Sequence, residues 1–164
     1  CKRITFFFNS DVSEFFSYEL IATITIKENP MTTSKVTYQG DLRTQAIHLQ
    51  SNNQIITDAP TDNQGKGEAF SPTDLLATSL ASCMLTIIGI KARDMNIDVT
   101  GAIAEVTKIM SADPRRVSEI QVVITFRQTL DDKTRKIFYN TALTCPIAKS
   151  IHPDITQNIT FKTV

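Results

Sequence analysis

The sequence is poor in cysteine, has no tryptophan and carries no net charge. Three of its 164 residues are Cys, and 17 Lys plus Arg balance 17 Asp plus Glu. Three cysteines without a secretion signal do not make a disulfide scaffold. A neutral chain without a basic run lacks the field that attracts nucleic acid or an anionic membrane. We therefore expect a cytoplasmic protein with no nucleic-acid partner and no membrane partner.

Long hydrophobic runs are also scarce. The apolar runs of the first thirty residues are short and are broken by Asp11, Glu14 and Glu19. The uncharged stretch 75–90 is shorter than the roughly 18 residues that a membrane helix needs. Apolar residues make up 41% of the chain and charged residues 21%, which fits a globular domain.

The first thirty residues differ in composition from the remainder. They hold five of the nine phenylalanines and begin with Cys1, and a regular alternating pattern starts only after Met31. We interpret residues 1–30 as an N-terminal extension and residues 31–164 as a single domain. The alternative, an edge strand and helix that belong to the domain, stays open until the native N-terminal peptide is identified by mass spectrometry.

Hydrophobic periodicity predicts an α+β domain. Residues 58–67 are rich in turn formers and predict a surface loop. Asp131 or Asp132 caps a helix that runs to residue 143, and a short helical turn covers 147–151. Period-two alternation predicts strands at residues 33–38, 43–49, 55–57, 97–110, 117–128 and 155–164. This order predicts an antiparallel sheet wrapped on one long central helix.

The central helix has the clearest start signal in the chain. Ser71 can cap it, Pro72 suits the first helical position, and Asp74 can close a capping box. Its body, residues 75–90, carries no charge and is apolar nearly all round, which predicts burial on every side. One subunit's sheet covers only one side, so we expect an intertwined homodimer in which a partner brings its own helix.

Two cysteines are candidates for chemistry. Cys83 lies in the middle of the uncharged helix, where an inert, buried thiol is the alternative interpretation. Cys145 precedes Pro146 at the start of a short helix, where unpaired N–H groups lower a thiol pKa. A pair of thiols can reduce a peroxide, because one becomes a sulfenic acid and the other condenses with it to a disulfide.

A reactive thiolate also needs a cation. Arg43 follows the turn at residues 39–41 and can supply it, and Glu68 or Asp74 can hold that arginine. The predicted substrate pocket is lined by Phe70 and Met84, among other apolar side chains.

The two histidines, His48 and His152, raise the question of a metal site. No CxxC or HxxxH spacing accompanies them, so we expect neither a metal nor another bound cofactor. A Cys–His enzyme would need a third, orienting group, which the sequence does not identify.

Three segments resemble the OsmC/Ohr family of peroxide reductases. They are YQGDLRT at 38–44, GKGEAFSPTDLLATSLASCMLT at 65–86 and TCPIAKSIHPDI at 144–155. The resemblance spans about residues 35–164. It implies an intertwined α+β homodimer with active sites at the subunit interface. It also implies that Cys83 is the peroxidatic nucleophile, that Cys145 is the resolving thiol and that Arg43 activates the thiolate.

The chain departs from the resemblance in one place. The organic hydroperoxide branch has Glu ten residues before the nucleophile, and this chain has Thr73 there. Asp74 or Glu68 is expected to replace it, and the sequence is more similar to the broader OsmC-like branch. The helix-end argument favours Cys145 as the thiolate, but that effect is only about 0.3–1 kcal/mol, so we follow the resemblance and assign the attack to Cys83.

These observations predict a thiol-dependent peroxidase for oxidative-stress defence. Its substrates would be organic hydroperoxides, with hydrogen peroxide left open as a second substrate, and an external dithiol would reduce it. The alternative is a non-enzymatic OsmC-like protein that senses oxidants or binds a small ligand.

Overall fold

Strands and helices alternate in blocks in the computed structural model of this protein, which describes residues 31–163. The prediction about residues 1–30 lies outside the described residues. The elements are β1 (Ser34–Gly40), β2 (Arg43–His48), β3 (Gln54–Asp58), α1 (Pro72–Asp94), β4 (Ile103–Ala112), β5 (Arg115–Phe126), α2 (Asp132–Ala142), α3 (Pro146–Ser150) and β6 (Thr156–Thr163).

Within the part of the chain that the structure describes, six strands form two separate three-stranded sheets. The N-terminal sheet has the order β1-β2-β3 and is antiparallel. The second sheet has the order β4-β5-β6; β4 and β5 are antiparallel, whereas β5 and β6 are parallel. The parallel pair follows from the two helices between β5 and β6, which return the chain to the starting end of the sheet. The predicted α+β class with a central helix is confirmed.

The start of α1 is built as its sequence predicts. The Ser71 hydroxyl accepts a hydrogen bond from the N–H of Asp74 at 3.1 Å, and the Asp74 carboxylate accepts one from the N–H of Ser71 at 2.8 Å. Pro72 occupies the first turn, where no N–H is needed. The capping box therefore fixes where the helix begins.

Among residues 31–163, α1 is not buried on every side as predicted. The second sheet, α2 and α3 pack on one face of the helix, whereas the opposite face is exposed at Thr78, Ser82, Thr86 and Ile90. The buried face consists of Ala77, Leu80, Ala81, Met84, Ile88 and Ala92. By length and composition, α1 is long and apolar enough to cross a membrane, with a mean hydropathy of 1.7 over 18 residues. Core helices of soluble proteins have the same properties.

The core lies between α1, β5 and α2. The Phe126 ring packs against those of Phe138 and Phe161, with centroids 5.9 Å and 5.3 Å away. All three rings are buried, and they pack α2 against β5 and β6 of the second sheet. This core orients the part of α1 that carries Cys83.

Several predicted boundaries are wrong. β4 begins at Ile103, not at residue 97, because Gly101 has a φ angle of 80° and breaks the extended run. At Gly101 a Cβ atom would also lie 2.6 Å from the Arg127 side chain. Asp58 ends β3 and is buried, although its turn-rich neighbours predicted a surface loop.

Candidate active site

Two carboxylates bind Arg43 at the start of β2, the central strand of the N-terminal sheet. Its Nε donates to Oδ1 of Asp58 at 2.6 Å and its Nη2 to Oδ2 at 2.8 Å, a bidentate ion pair. Nη2 also donates to Oε2 of Glu68 at 2.7 Å. These bonds, that of Asp58 first, raise the pKa of Arg43 above its ordinary value, and the bond to Arg43 lowers the pKa of Asp58. The site therefore holds a permanent cation with a fixed orientation.

The register of β2 and β3 explains why Asp58 meets Arg43. The two residues are directly paired across the strands, as are Thr44 and Thr57. Asp58 was not among the predicted site residues, because its turn-rich neighbours placed it in a loop. The predicted turn at residues 51–53 also misplaced the middle of the hairpin, because Arg43 and Asp58 lie symmetrically about the Gln50–Ser51 bond.

Asp74 does not contact Arg43. Its Oδ1 lies 2.8 Å from Nζ of Lys108, and that ammonium also donates to the hydroxyls of Ser71 and Thr73 at 2.9 and 2.7 Å. Partial burial by itself raises the pKa of Asp74, but hydrogen bonds from Lys108 and Ser71 outweigh it and hold that pKa below its ordinary value. Of the two carboxylates predicted to hold Arg43, only Glu68 contacts it.

The two cysteines meet where α1 packs against α3. Both are free thiols; Cys83 is partly exposed and Cys145 is 0% exposed. Cys145 is the N-cap of α3, and its Sγ accepts a hydrogen bond from the N–H of Ala148 at 3.3 Å. The Cys83 side chain is close enough to Cys145 to affect the pKa of the Cys145 thiol.

The net effect on Cys145 is opposite to the prediction. Burial raises the pKa of the Cys145 thiol, and the neighbouring Cys83 side chain raises it further. The Ala148 N–H acts in the lowering direction, as an N-terminal helix position should, but burial outweighs it. The local argument for Cys145 as the better-activated thiolate is therefore wrong, although the N-cap geometry on which it rested is present.

Among residues 31–163, no hydrogen bond connects Arg43 to Cys83 or Cys145. The helix that carries Cys83 makes its extensive contacts with β4, β5, α2 and α3, not with the N-terminal sheet.

An open cavity of about 430 Å³ lies beside Glu68, between the start of α1 and β4. Phe70, a predicted substrate-contacting residue, lines it and is 54% exposed. Val106 and Lys108 of β4 form the other wall. The second residue predicted for the pocket, Met84, is fully buried in the core and is not part of this lining.

The histidines lie away from these groups. Nδ1 of His48 is 2.7 Å from the Ser51 hydroxyl, and His152 lies beside Asp154 on the surface. Within residues 31–163, no cluster of three or more His, Cys, Asp or Glu side chains could hold a metal ion.

Comparison with known proteins identifies the family of this chain and other proteins with the same fold. A sequence profile of OsmC-like proteins matches residues 65–160. An osmotic stress induced and detoxification response protein from Psychrobacter arcticus 273-4, whose crystal structure is known, is 79% identical in sequence to this chain. The match covers 83% of this chain and 99% of that one, with a TM-score of 0.80. No curated protein matches the sequence.

More distant crystal structures share the fold. An OsmC-like protein from Mycoplasma pneumoniae is 20% identical with a TM-score of 0.68, and the match covers 80% of this chain and 95% of that one. The organic hydroperoxide resistance protein OhrB of Bacillus subtilis is 18% identical with a TM-score of 0.58, covering 81% and 100%. At these identities the likeness concerns the arrangement of strands and helices.

Proposed function

We propose that this chain, which belongs to the OsmC-like protein family, is a thiol-dependent peroxidase that reduces organic hydroperoxides. The observation that carries the proposal is the pair of free thiols. Cys83 is partly exposed, and Cys145 is buried within interaction distance of it. An accessible thiol can meet a peroxide from solvent, and a buried neighbour can then resolve the product.

The proposed cycle transfers two electrons. The Cys83 thiolate attacks one oxygen of the O–O bond, an S–O bond forms, and the alkoxide leaves and takes a proton to become an alcohol. The Cys145 thiol then attacks the sulfur of the Cys83 sulfenic acid, an S–S bond forms, and hydroxide leaves with the thiol proton as water. An external dithiol reduces the disulfide to two thiols and is itself oxidised to a disulfide.

The raised pKa of Cys145 suits the resolving role. A thiol that stays protonated at neutral pH competes little for peroxide. Once Cys83 is a sulfenic acid, its sulfur is an electrophile next to Cys145, and proximity compensates for the low thiolate fraction.

Arg43 completes this site in a dimer. Its guanidinium lies on the N-terminal sheet, away from the contacts of α1 within the subunit, so a second copy can bring this cation to the exposed face of α1. There it would stabilise the attacking thiolate and the departing alkoxide. We therefore propose a homodimer as the active form.

Turnover tests the proposal. Purified protein is mixed with tert-butyl hydroperoxide and dithiothreitol, and peroxide loss is followed over time. We expect rapid consumption by the wild type, background consumption by Cys83→Ser, and a Cys83–Cys145 disulfide in peptide maps of oxidised wild-type protein.

Cys1→Ser is the matched control, because it removes the third thiol of the chain and should leave turnover intact. Equal peroxide loss by wild type and Cys83→Ser would contradict the proposal. If the disulfide nevertheless forms at stoichiometric peroxide without turnover, the protein is an oxidant sensor and not an enzyme.

A further inference from the structure

We propose that Asp58 is the positioning residue that orients Arg43 for the reaction and couples it to the wall of the cavity beside Glu68. The inference rests on the proposed function, because it assigns a role within that site. It goes beyond it by naming a carboxylate that the family resemblance does not supply, since the helix position expected to hold the arginine is Thr73.

The bonding pattern of the guanidinium carries the first step. Nε and Nη2 face Asp58, and the second hydrogen of Nη2 faces Glu68. Within residues 31–163, the Nη1 nitrogen of Arg43 has no hydrogen-bond partner. The bidentate bond to Asp58 fixes the plane of the guanidinium, so Nη1 is presented in one direction with both of its hydrogens available for a thiolate or a peroxide oxygen.

Burial decides which carboxylate matters more. The Asp58 side chain is 2% exposed and that of Glu68 is 63% exposed. An exposed ion pair is screened by water and is worth about 0–1 kcal/mol. A buried, bidentate pair in which both carboxylate oxygens are engaged holds its geometry, and removing one partner leaves the other charge uncompensated.

Asp58 also holds the loop that lines the cavity. Its Oδ2 accepts the backbone N–H of Glu68 at 3.0 Å, besides the Nη2 of Arg43. The N–H of Asp58 donates to the carbonyl oxygen of Phe70 at 3.1 Å. Because one side chain binds both Arg43 and the segment that carries Phe70, a shift of the arginine is transmitted to the wall of the cavity.

The variant Asp58→Asn tests the role, since it keeps the size of the side chain and removes its charge. We expect Asp58→Asn to lower the second-order rate of Cys83 oxidation by tert-butyl hydroperoxide about 100-fold, the effect of misplacing a catalytic group by about 1 Å. Glu68→Gln should lower it less than about 5-fold. Asp62→Asn, which neutralises an exposed carboxylate bound to Arg115, should leave the rate unchanged.

A double-mutant cycle separates positioning from mere stability. If Asp58 acts through Arg43, the double variant with Arg43→Gln should be no slower than Arg43→Gln alone, whereas independent effects would multiply. Unfolding curves keep every rate measurement in conditions where each variant is folded. Multiplying effects, or an Asp58→Asn rate equal to wild type, would overturn the inference.

Failure of the proposed function is distinguishable from failure of this inference. If the wild type reduces no peroxide, the same variants are compared by the rate of Cys83 alkylation with iodoacetamide, because a thiolate that Arg43 stabilises is the reactive form there too. A slower alkylation in both Asp58→Asn and Arg43→Gln supports the positioning role without peroxidase activity. An alkylation rate unchanged by Asp58→Asn contradicts it.

Discussion

Burial and a helix N-terminus act in opposite directions on Cys145. The thiol caps α3 and accepts the Ala148 N–H, an arrangement that lowers thiol pKa values where the sulfur is solvated. Here the side chain is fully buried beside Cys83, and burial penalises the thiolate more than one N–H stabilises it. The two cysteines are therefore unequal in access as well as in position.

This inequality predicts different alkylation rates. In a Cys1→Ser background, Cys83→Ser leaves Cys145 as the single thiol and Cys145→Ser leaves Cys83. We expect the protein that retains Cys145 to react more slowly with iodoacetamide at pH 7. Because the pKa of Cys145 is raised, its rate should still rise with pH beyond about 8.5, the ordinary pKa of a thiol, where the rate of an unperturbed thiol levels off.

Burial remains when Cys83 is replaced, so the largest cause of the raised pKa is retained in the single-thiol protein. Faster alkylation of Cys145 than of Cys83 at pH 7 would mean that the N-cap contact outweighs burial.

Helix α1 is joined to the second sheet through its first turn. Lys108 of β4 donates to Ser71 and Thr73 and pairs with Asp74. An acidic residue in the first turn also interacts favourably with the helix dipole. The same side chain thus serves the cap, the dipole and a contact between two elements.

Asp74→Asn should lower the free energy of unfolding at pH 7 by about 1 kcal/mol, the usual scale of a capping interaction. The pKa of Asp74 is below its ordinary value in the folded protein. Its carboxylate therefore contributes stability above that ordinary value, and the contribution is lost as pH falls through the lowered folded value. Urea unfolding from pH 7 down to pH 3 should show the wild-type advantage shrinking with acid.

Asp94→Asn is the matched control, because it is the same substitution at the exposed end of the same helix. It should be neutral or slightly stabilising, since a negative charge is unfavourable near a helix C-terminus. Equal destabilisation by both variants would contradict the capping role of Asp74.

At the scale of the whole molecule, the N-terminal sheet has an apolar face that no other element among residues 31–163 covers. The strand register places Val36 and Tyr38 of β1, Ala46 of β2 and Ile55 of β3 on one side. Val36 and Tyr38 are 62% and 65% exposed. A three-stranded sheet needs a packed face for stability, and α1 has an exposed face of its own. These surfaces are the physical reason to expect a second copy.

We therefore expect light scattering of the purified protein to give a molecular mass about twice the 18.3 kDa of one chain. Ile55→Lys places a charge on the apolar face and should raise the dissociation constant of the dimer about 100-fold, because about 3 kcal/mol of stabilisation from apolar burial is lost. Thr37→Lys puts the same charge on the opposite face of the sheet and should leave the mass unchanged. A monomeric wild type at micromolar concentration would refute the dimer.

Interactions between residues close in sequence were sufficient to predict much of the fold. The Ser71–Asp74 capping box, the Cys145 N-cap and the alternating strands were all predicted from neighbouring residues. Capping and strand periodicity act over a few residues, so they can be detected in the sequence. The predicted start of β4 was wrong because a residue with a left-handed backbone conformation interrupts a segment whose sequence alternates like a strand.

The roles of single residues depended on contacts across the fold. Asp58 faces Arg43 only because β2 and β3 pair in one register, and Asp74 binds Lys108 only because β4 packs beside α1. The direction of the Cys145 pKa depended on burial, which many distant residues supply together. Backbone propensity and capping are local energies, whereas burial and ion pairing are set by groups far apart in sequence, and tertiary structure alone decides which groups meet.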